Sequence, residues 1–87
     1  MKKAVKKVQD GKLVKVELEC GDRIDKIKIH GDFFIEPPEA LEDIRRELKD
    51  VKTDKENIFK CINAVDAELI GFSKNDLVDT IMEASKK

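Results

Sequence analysis

The sequence has no tryptophan and no tyrosine; four phenylalanines are its whole aromatic content. Two of them, Phe33 and Phe34, are adjacent, so half of the aromatic side chains stand in one dipeptide of the stretch "KIHGDFFIEPPEALEDI". Cysteine is as scarce. Cys20 and Cys61 lie far apart, no CxxC pair is present, and His30 is the single histidine. A structural zinc site takes about four such ligands, and this chain has too few. Two distant thiols read as ordinary reduced cysteines of a cytoplasmic protein, small apolar residues of a strand and a helix. Neither charge sign prevails: 18 Lys and Arg stand against 19 Asp and Glu. That balance creates no field favouring nucleic acid or an anionic membrane. No apolar run approaches the ~18 residues of a membrane span. Lys2, Lys3, Lys6 and Lys7 have no apolar segment behind them, so the N-terminus does not read as a secretory leader. Phosphate-cradling loops of the GxxxxGK or GxGxxG kind are missing too.

Charge and periodicity are what the chain has in quantity. Charged residues make up 43% of it, the composition of a well-solvated surface. Its 87 residues read as a single domain over 1–87. A chain of this size buries about 60–65% of the surface that it exposes when unfolded. One modest core fits, with little room for a deep substrate cavity, which favours a binding or accessory role over a self-contained active site.

"LVKVELEC" alternates: Val14, Val16, Leu18 and Cys20 point one way, Lys15, Glu17 and Glu19 the other, as in a half-buried strand. Gly21-Asp22 reads as a tight turn able to place a residue at positive φ. "RIDKIKIHG" returns as a second strand with Ile27 and Ile29 in phase. Ile24 is out of phase, so either it precedes the paired region or a bulge intervenes. "AVKKVQDGK" is a weaker strand ahead of these, ending in the hairpin signal Asp10-Gly11. Pro37-Pro38 stop the strand and sit where a helix can start. Glu39, Glu42 and Asp43 suit its positive end, and Leu41, Ile44 and Leu48, with Ala40, make its inward stripe. Thr53 and Glu56 have capping-box spacing ahead of a second helix with stripe Ile58, Phe59, Ile62 and Val65. Ser73, with Asp76 three residues on, opens a third, with Leu77, Val78, Ile81 and Met82 on its apolar face. "AELIGF" between them is ambiguous, an extended link turning at Gly71. The expectation is an α+β domain: a three-stranded antiparallel meander covered on one face by about three helices, with Lys15, Glu17, Glu19, Lys26 and Lys28 on the wet face.

Candidate chemistry is thin. Ser73 suits a cap better than a nucleophile. A Cys–His pair must lie within hydrogen-bond reach, and the turn places residue 20 opposite residue 23, far from His30. The acidic residues of the helices alternate with Lys and Arg, as solvated ion pairs do. No catalytic, metal or cofactor-binding residue is assigned. Phe33 and Phe34 stand out because adjacent residues of an extended chain point to opposite faces. Phe33, in phase with Ile27 and Ile29 at spacing two, is expected in the core, and Phe34 at a partner surface. Both rings beneath the first helix is the alternative. Gly31 allows a close backbone approach, and Asp32 can fix the bend through an Asx-turn. His30, Gly31, Asp32, Phe33 and Phe34 are therefore the candidate interface residues.

The run "GKLVKVELECGDRIDKIKIHGDFFIEPPEALEDIRRELKDV" resembles the C-terminal, or accessory, domain of lipoate–protein ligases. The likeness rests on Gly11-Lys12-Leu13-Val14, on Gly31-Asp32-Phe33-Phe34, on Pro37 or Pro38, and on Leu41, Glu42 and Leu48. "LIGFSKNDLVDTIMEA" resembles the family's closing segment, and the likeness spans about residues 10 to 85. It implies an α+β fold related to iron–sulfur scaffold proteins, without their cluster site, since the two cysteines do not match its spacing. The family often ends the first helix in Leu-x-Gly, whereas this chain has Leu48-Lys49-Asp50, implying a different C-cap. Within the family the domain is fused behind a catalytic domain or is a separate small subunit; the length and Met1 resemble the separate form. The resemblance implies a non-catalytic partner of a catalytic subunit in a heterodimer. That subunit would bind ATP, Mg²⁺ and lipoate, form lipoyl-AMP and pass the lipoyl group to a lysine of acceptor proteins. The alternatives are a stand-alone domain that binds small acyl groups or other small molecules, and a minor enzyme using Cys20 or Cys61.

Overall fold

The computed structural model describes residues 1–8 and 11–87. Eight elements follow in chain order: β1 (Lys2–Lys7), β2 (Leu13–Cys20), β3 (Ile24–Gly31), β4 (Phe34–Glu36), α1 (Ala40–Leu48), α2 (Lys55–Ala64), β5 (Glu68–Ile70) and α3 (Lys74–Ser85). β1, β2 and β3 form the expected antiparallel meander in that order. The expected first strand starts two residues earlier, at Lys2, and its hairpin signal at Asp10 lies outside the described residues. Alternation decides the faces of β2: Val14, Val16 and Leu18 are fully buried, while Lys15 is exposed and Glu17 and Glu19 half-buried. Ile24 is fully buried because the register shifts between Glu19 and Cys20, so the bulge brings it back into phase. Cys20 consequently faces Ile24, not residue 23. Positive φ occurs at Gly11, Gly31 and Gly71 but not at Gly21, so the turn there is made within ordinary backbone space.

α3 lies across β1 and β2, α1 along β3, and α2 packs on α1 and α3. Ala40, Ile44 and Leu48 of α1, Ile58 and Ile62 of α2, and Leu77, Val78, Ile81 and Ala84 of α3 are buried; Leu41, Phe59, Val65 and Met82 are only partly covered. Each large apolar side chain fully withdrawn from water contributes about 1.5–3 kcal/mol. Thr80 is the one polar side chain in this layer, and its hydroxyl donates to the Asp76 carbonyl at 2.7 Å, so its burial leaves nothing unpaired.

The helix ends depart from the sequence pattern in two places. Asp54, not Thr53, caps α2: its carboxylate accepts from the Asn57 N–H at 2.8 Å. Thr53 is committed elsewhere, its hydroxyl donating to the Gly21 carbonyl at 3.2 Å. At the end of α1, Asp50 takes φ 65°, the left-handed conformation a glycine would supply. Its N–H donates to the Ile24 carbonyl at 2.8 Å, and the Ile24 N–H to the Val51 carbonyl at 2.9 Å, so the chain leaving α1 closes along β3. Arg45 Nε donates to the Ile27 carbonyl at 3.0 Å on the same strand. Ser73 and Asp76 form the reciprocal box at the start of α3 as expected.

"AELIGF" is not merely a link. Glu68–Ile70 is the strand β5, paired antiparallel with β4 in a second, two-stranded sheet: Phe34 opposite Ile70, Ile35 opposite Leu69, Glu36 opposite Glu68.

Candidate functional site

β3 ends in a corner that only glycine can make. Gly31 has φ 153°, and a Cβ on it would run into the carbonyl oxygen of Leu13. The backbones of β2 and β3 meet there without an intervening side chain, and the Asp32 N–H donates to the same Leu13 carbonyl at 2.9 Å. The expected Asx-turn is not what holds the bend. That backbone bond fixes it, and the exposed Asp32 side chain has no hydrogen-bond partner among the described residues.

Beyond the corner the two rings part. Phe33 is half-buried and leans on Phe72, ring centroids 4.3 Å apart and planes tilted by 37°, a geometry that adds to simple area burial. Phe34 is 68% exposed, and Ile70 opposite it is 40% exposed. Ile35, between Phe34 and Glu36, is the buried residue of β4. Phe33 is thus a flank of the core, packed against it but only half covered, and Ile35, two residues on in the same phase, is the more deeply buried of the two. The shallow hollow beside the rings is lined by Phe33, Phe34, Ile35, Glu36, Pro38 and Leu41.

His30 does not join this group. It stands opposite Lys15 on the open face of the three-stranded sheet, with Nε2 3.5 Å from the Glu17 carboxylate. Burial pushes the Glu17 carboxyl up, but Lys3, by charge and hydrogen bond, and then Lys28 and His30 outweigh it and hold the carboxyl below its ordinary value. Cys20, opposite Ile24, is at the far end of the same hairpin from His30, so the two never meet. Cys61 is half-buried rather than enclosed, and burial, followed by the charge of Glu47, pushes its thiol up. A thiol held protonated is a poor nucleophile. The Ser73 hydroxyl accepts from the Asp76 N–H at 3.0 Å and is occupied as a cap. Among the described residues, no three His, Cys, Asp or Glu side chains are grouped to hold a metal ion, and no helix is long and apolar enough to cross a membrane.

What these elements define is an α+β domain whose chemistry-bearing side chains are dispersed and whose exposed aromatic sits on a short ribbon. The family described as "Bacterial lipoate protein ligase C-terminus" matches residues 3–81, and the chain belongs to it. Among solved structures it is similar to a chain from the structural analysis of an archaeal lipoylation system, a bi-partite lipoate protein ligase and its E2 lipoyl domain from Thermoplasma acidophilum. The identity is 25%, the TM-score 0.73, and the match covers 93% of this chain and 92% of that one. No curated protein sequence matches the chain. Its role is ligase-related, and its fold is that of the ligase C-terminal domain.

Proposed function

We propose that this chain is the non-catalytic accessory part of a two-part lipoate–protein ligase. The observation that carries the reading is the near full-length likeness, on both sides, to a chain from a bi-partite lipoate protein ligase system. The dispersed nucleophiles and the outward Phe34 support it: such a surface docks, and the reaction belongs to the partner. The catalytic subunit would bind ATP, Mg²⁺ and lipoate, form lipoyl-AMP and transfer the lipoyl group to a lysine of an acceptor protein. An acyl-adenylate must be shielded from water while it forms, and a docked domain orders the loops that shield it. In this reading the partner is the catalytic chain, with Phe34 at the contact and Gly31, Asp32 and Phe33 setting the angle of its strand.

ATP–pyrophosphate exchange with the cognate catalytic chain, in the presence and absence of this one, tests the proposal. The exchange should rise when this chain is added, and this chain alone should form no lipoyl-AMP. Adenylate formed by this chain alone, or exchange indifferent to its addition, would overturn the reading.

A further inference from the structure

The outward face of the β4–β5 ribbon carries two cross-strand pairs, Phe34 opposite Ile70 and Glu36 opposite Glu68. All four residues are exposed, while Ile35 is buried and Leu69 half-buried on the other face. Residues two apart on a strand share a face, so the aromatic–aliphatic pair and the two carboxylates form one surface. Like charges directly opposite each other destabilise a strand pair. No cation of the described residues forms an ion pair with either glutamate. The isolated domain therefore carries an uncovered Phe34 and a carboxylate pair side by side, and among the described residues no ion pair relieves the carboxylates.

We propose that this four-residue face is a composite docking site for the ligase catalytic chain, which meets it with an arginine seated between Glu36 and Glu68 and apolar side chains over Phe34 and Ile70. The proposal rests on the accessory reading and specifies its contact. A guanidinium presents a planar fork of donors to two carboxylates, and its charge converts their repulsion into attraction once the apolar rim excludes water. The hollow beside Phe34, lined also by Phe33, Ile35, Glu36, Pro38 and Leu41, extends the apolar part to Leu41 of α1. A second copy of this chain is the wrong occupant, because a symmetric contact would bring four carboxylates together.

Calorimetric titration of the cognate catalytic chain with wild type, Phe34→Ala and the double variant Glu36→Gln/Glu68→Gln tests it, with melting temperatures of each isolated chain measured alongside. Phe34→Ala should stay folded and bind at least ~30-fold more weakly, as a central aromatic anchor does. The double variant should melt no lower than wild type, since repulsion has been removed, yet bind ~10-fold more weakly and with less salt dependence. Affinity and stability moving in opposite directions is a signature that solvated glutamates would not produce. Wild-type affinity in both variants would overturn the docking face and leave the accessory reading standing. Wild-type affinity in the double variant alone would overturn the cationic occupant. Absence of binding by the wild-type chain would overturn the accessory reading, and this inference with it. Self-association of the isolated chain that Phe34→Ala abolishes would overturn the choice of partner.

Discussion

The three-stranded sheet and the β4–β5 ribbon of this domain face water in different ways. On the larger sheet the outward carboxylate Glu17 is compensated: it lies 3.5 Å from both Lys3 and His30, and it stands opposite Lys28. Its inward face is closed by helices, and its last strand is bonded along the edge by Arg45 and by the chain around Val51. On the ribbon the outward pairs are Phe34 with Ile70 and Glu36 with Glu68, and the strands are three residues each. The outward carboxylate of the larger sheet has cations around it, and those of the ribbon have none among the described residues. A surface that leaves both an aromatic ring and a like-charge pair unresolved is where a second protein gains most by arriving.

Core substitutions give the largest contrast. Leu77→Ala removes a fully buried side chain from α3 and should cost about 2–5 kcal/mol. Phe34→Ala should leave the isolated fold within about 0.5 kcal/mol of wild type, as exposed sites do. Phe33→Ala should fall between them, because its ring is only half covered against Phe72. Urea unfolding of the three variants ranks them, and a Phe34→Ala loss as large as that of Leu77→Ala would erase the distinction between core and ribbon.

The junction comes next. Gly31→Ala forces a side chain into a left-handed backbone and against the Leu13 carbonyl. Strain of that kind costs about 1–3 kcal/mol before any displacement of β2 is counted. Because the glycine sets how β4 leaves the sheet, partner affinity should fall together with stability, unlike the selective loss expected for Phe34→Ala. Gly31→Ala with unchanged melting temperature and binding would show that the corner is not fixed by its glycine.

The helix ends supply smaller effects. Ser73→Ala should cost about 1 kcal/mol through the lost capping box. Asp54→Ala should lower the melting temperature more than Thr53→Ala, since Asp54 holds the Asn57 N–H while Thr53 only reaches the Gly21 carbonyl. Asp50→Gly should be neutral or stabilising by up to about 1 kcal/mol, because the residue already sits at φ 65°. A clear loss there would mean that the Asp50 side chain contributes something its backbone geometry does not.

How much of this was legible in the sequence depends on the length over which a pattern repeats. β2 alternates through eight residues, and α3 opens on Ser73-Asp76 with a stripe behind it, so strand, helix and fold class could all be read. The ribbon could not. Three residues, Glu68–Ile70, are too few to show a period, and their partner strand lies more than thirty positions away between a Gly-Asp step and two prolines. The outward turn of Phe34 followed from adjacency alone, but that Ile35 would be more deeply buried than Phe33, which shares its phase, depended on where β4 begins. Thr53-Asp54 offered two caps one residue apart, and only the tertiary demand of the Gly21 carbonyl for the Thr53 hydroxyl separates them. Glu36 was in plain view two residues after Phe34, but its significance required Glu68 across the strand.

The mildest way to sharpen the comparison is through acid. Asn57, by its backbone N–H and then its side-chain amide, holds the Asp54 carboxyl below its ordinary value against the opposing effect of burial, with Lys52 and Lys60 adding to it. On the open sheet, Lys3 and its neighbours do the same for Glu17. Both carboxyls bind protons less readily folded than unfolded. Their stabilisation is therefore complete above the ordinary carboxylate range and is lost as pH falls below about 4, through the depressed folded values. Urea midpoints measured from pH 7 down to pH 3 should decline less steeply for Asp54→Ala and for Glu17→Gln than for wild type. High salt should flatten the Glu17 contribution, which rests on charge, more than that of Asp54, which rests first on hydrogen bonds. Identical acid limbs in all three proteins would show that neither carboxylate is held by the groups around it, and the outward face of the larger sheet would then be no better compensated than the ribbon.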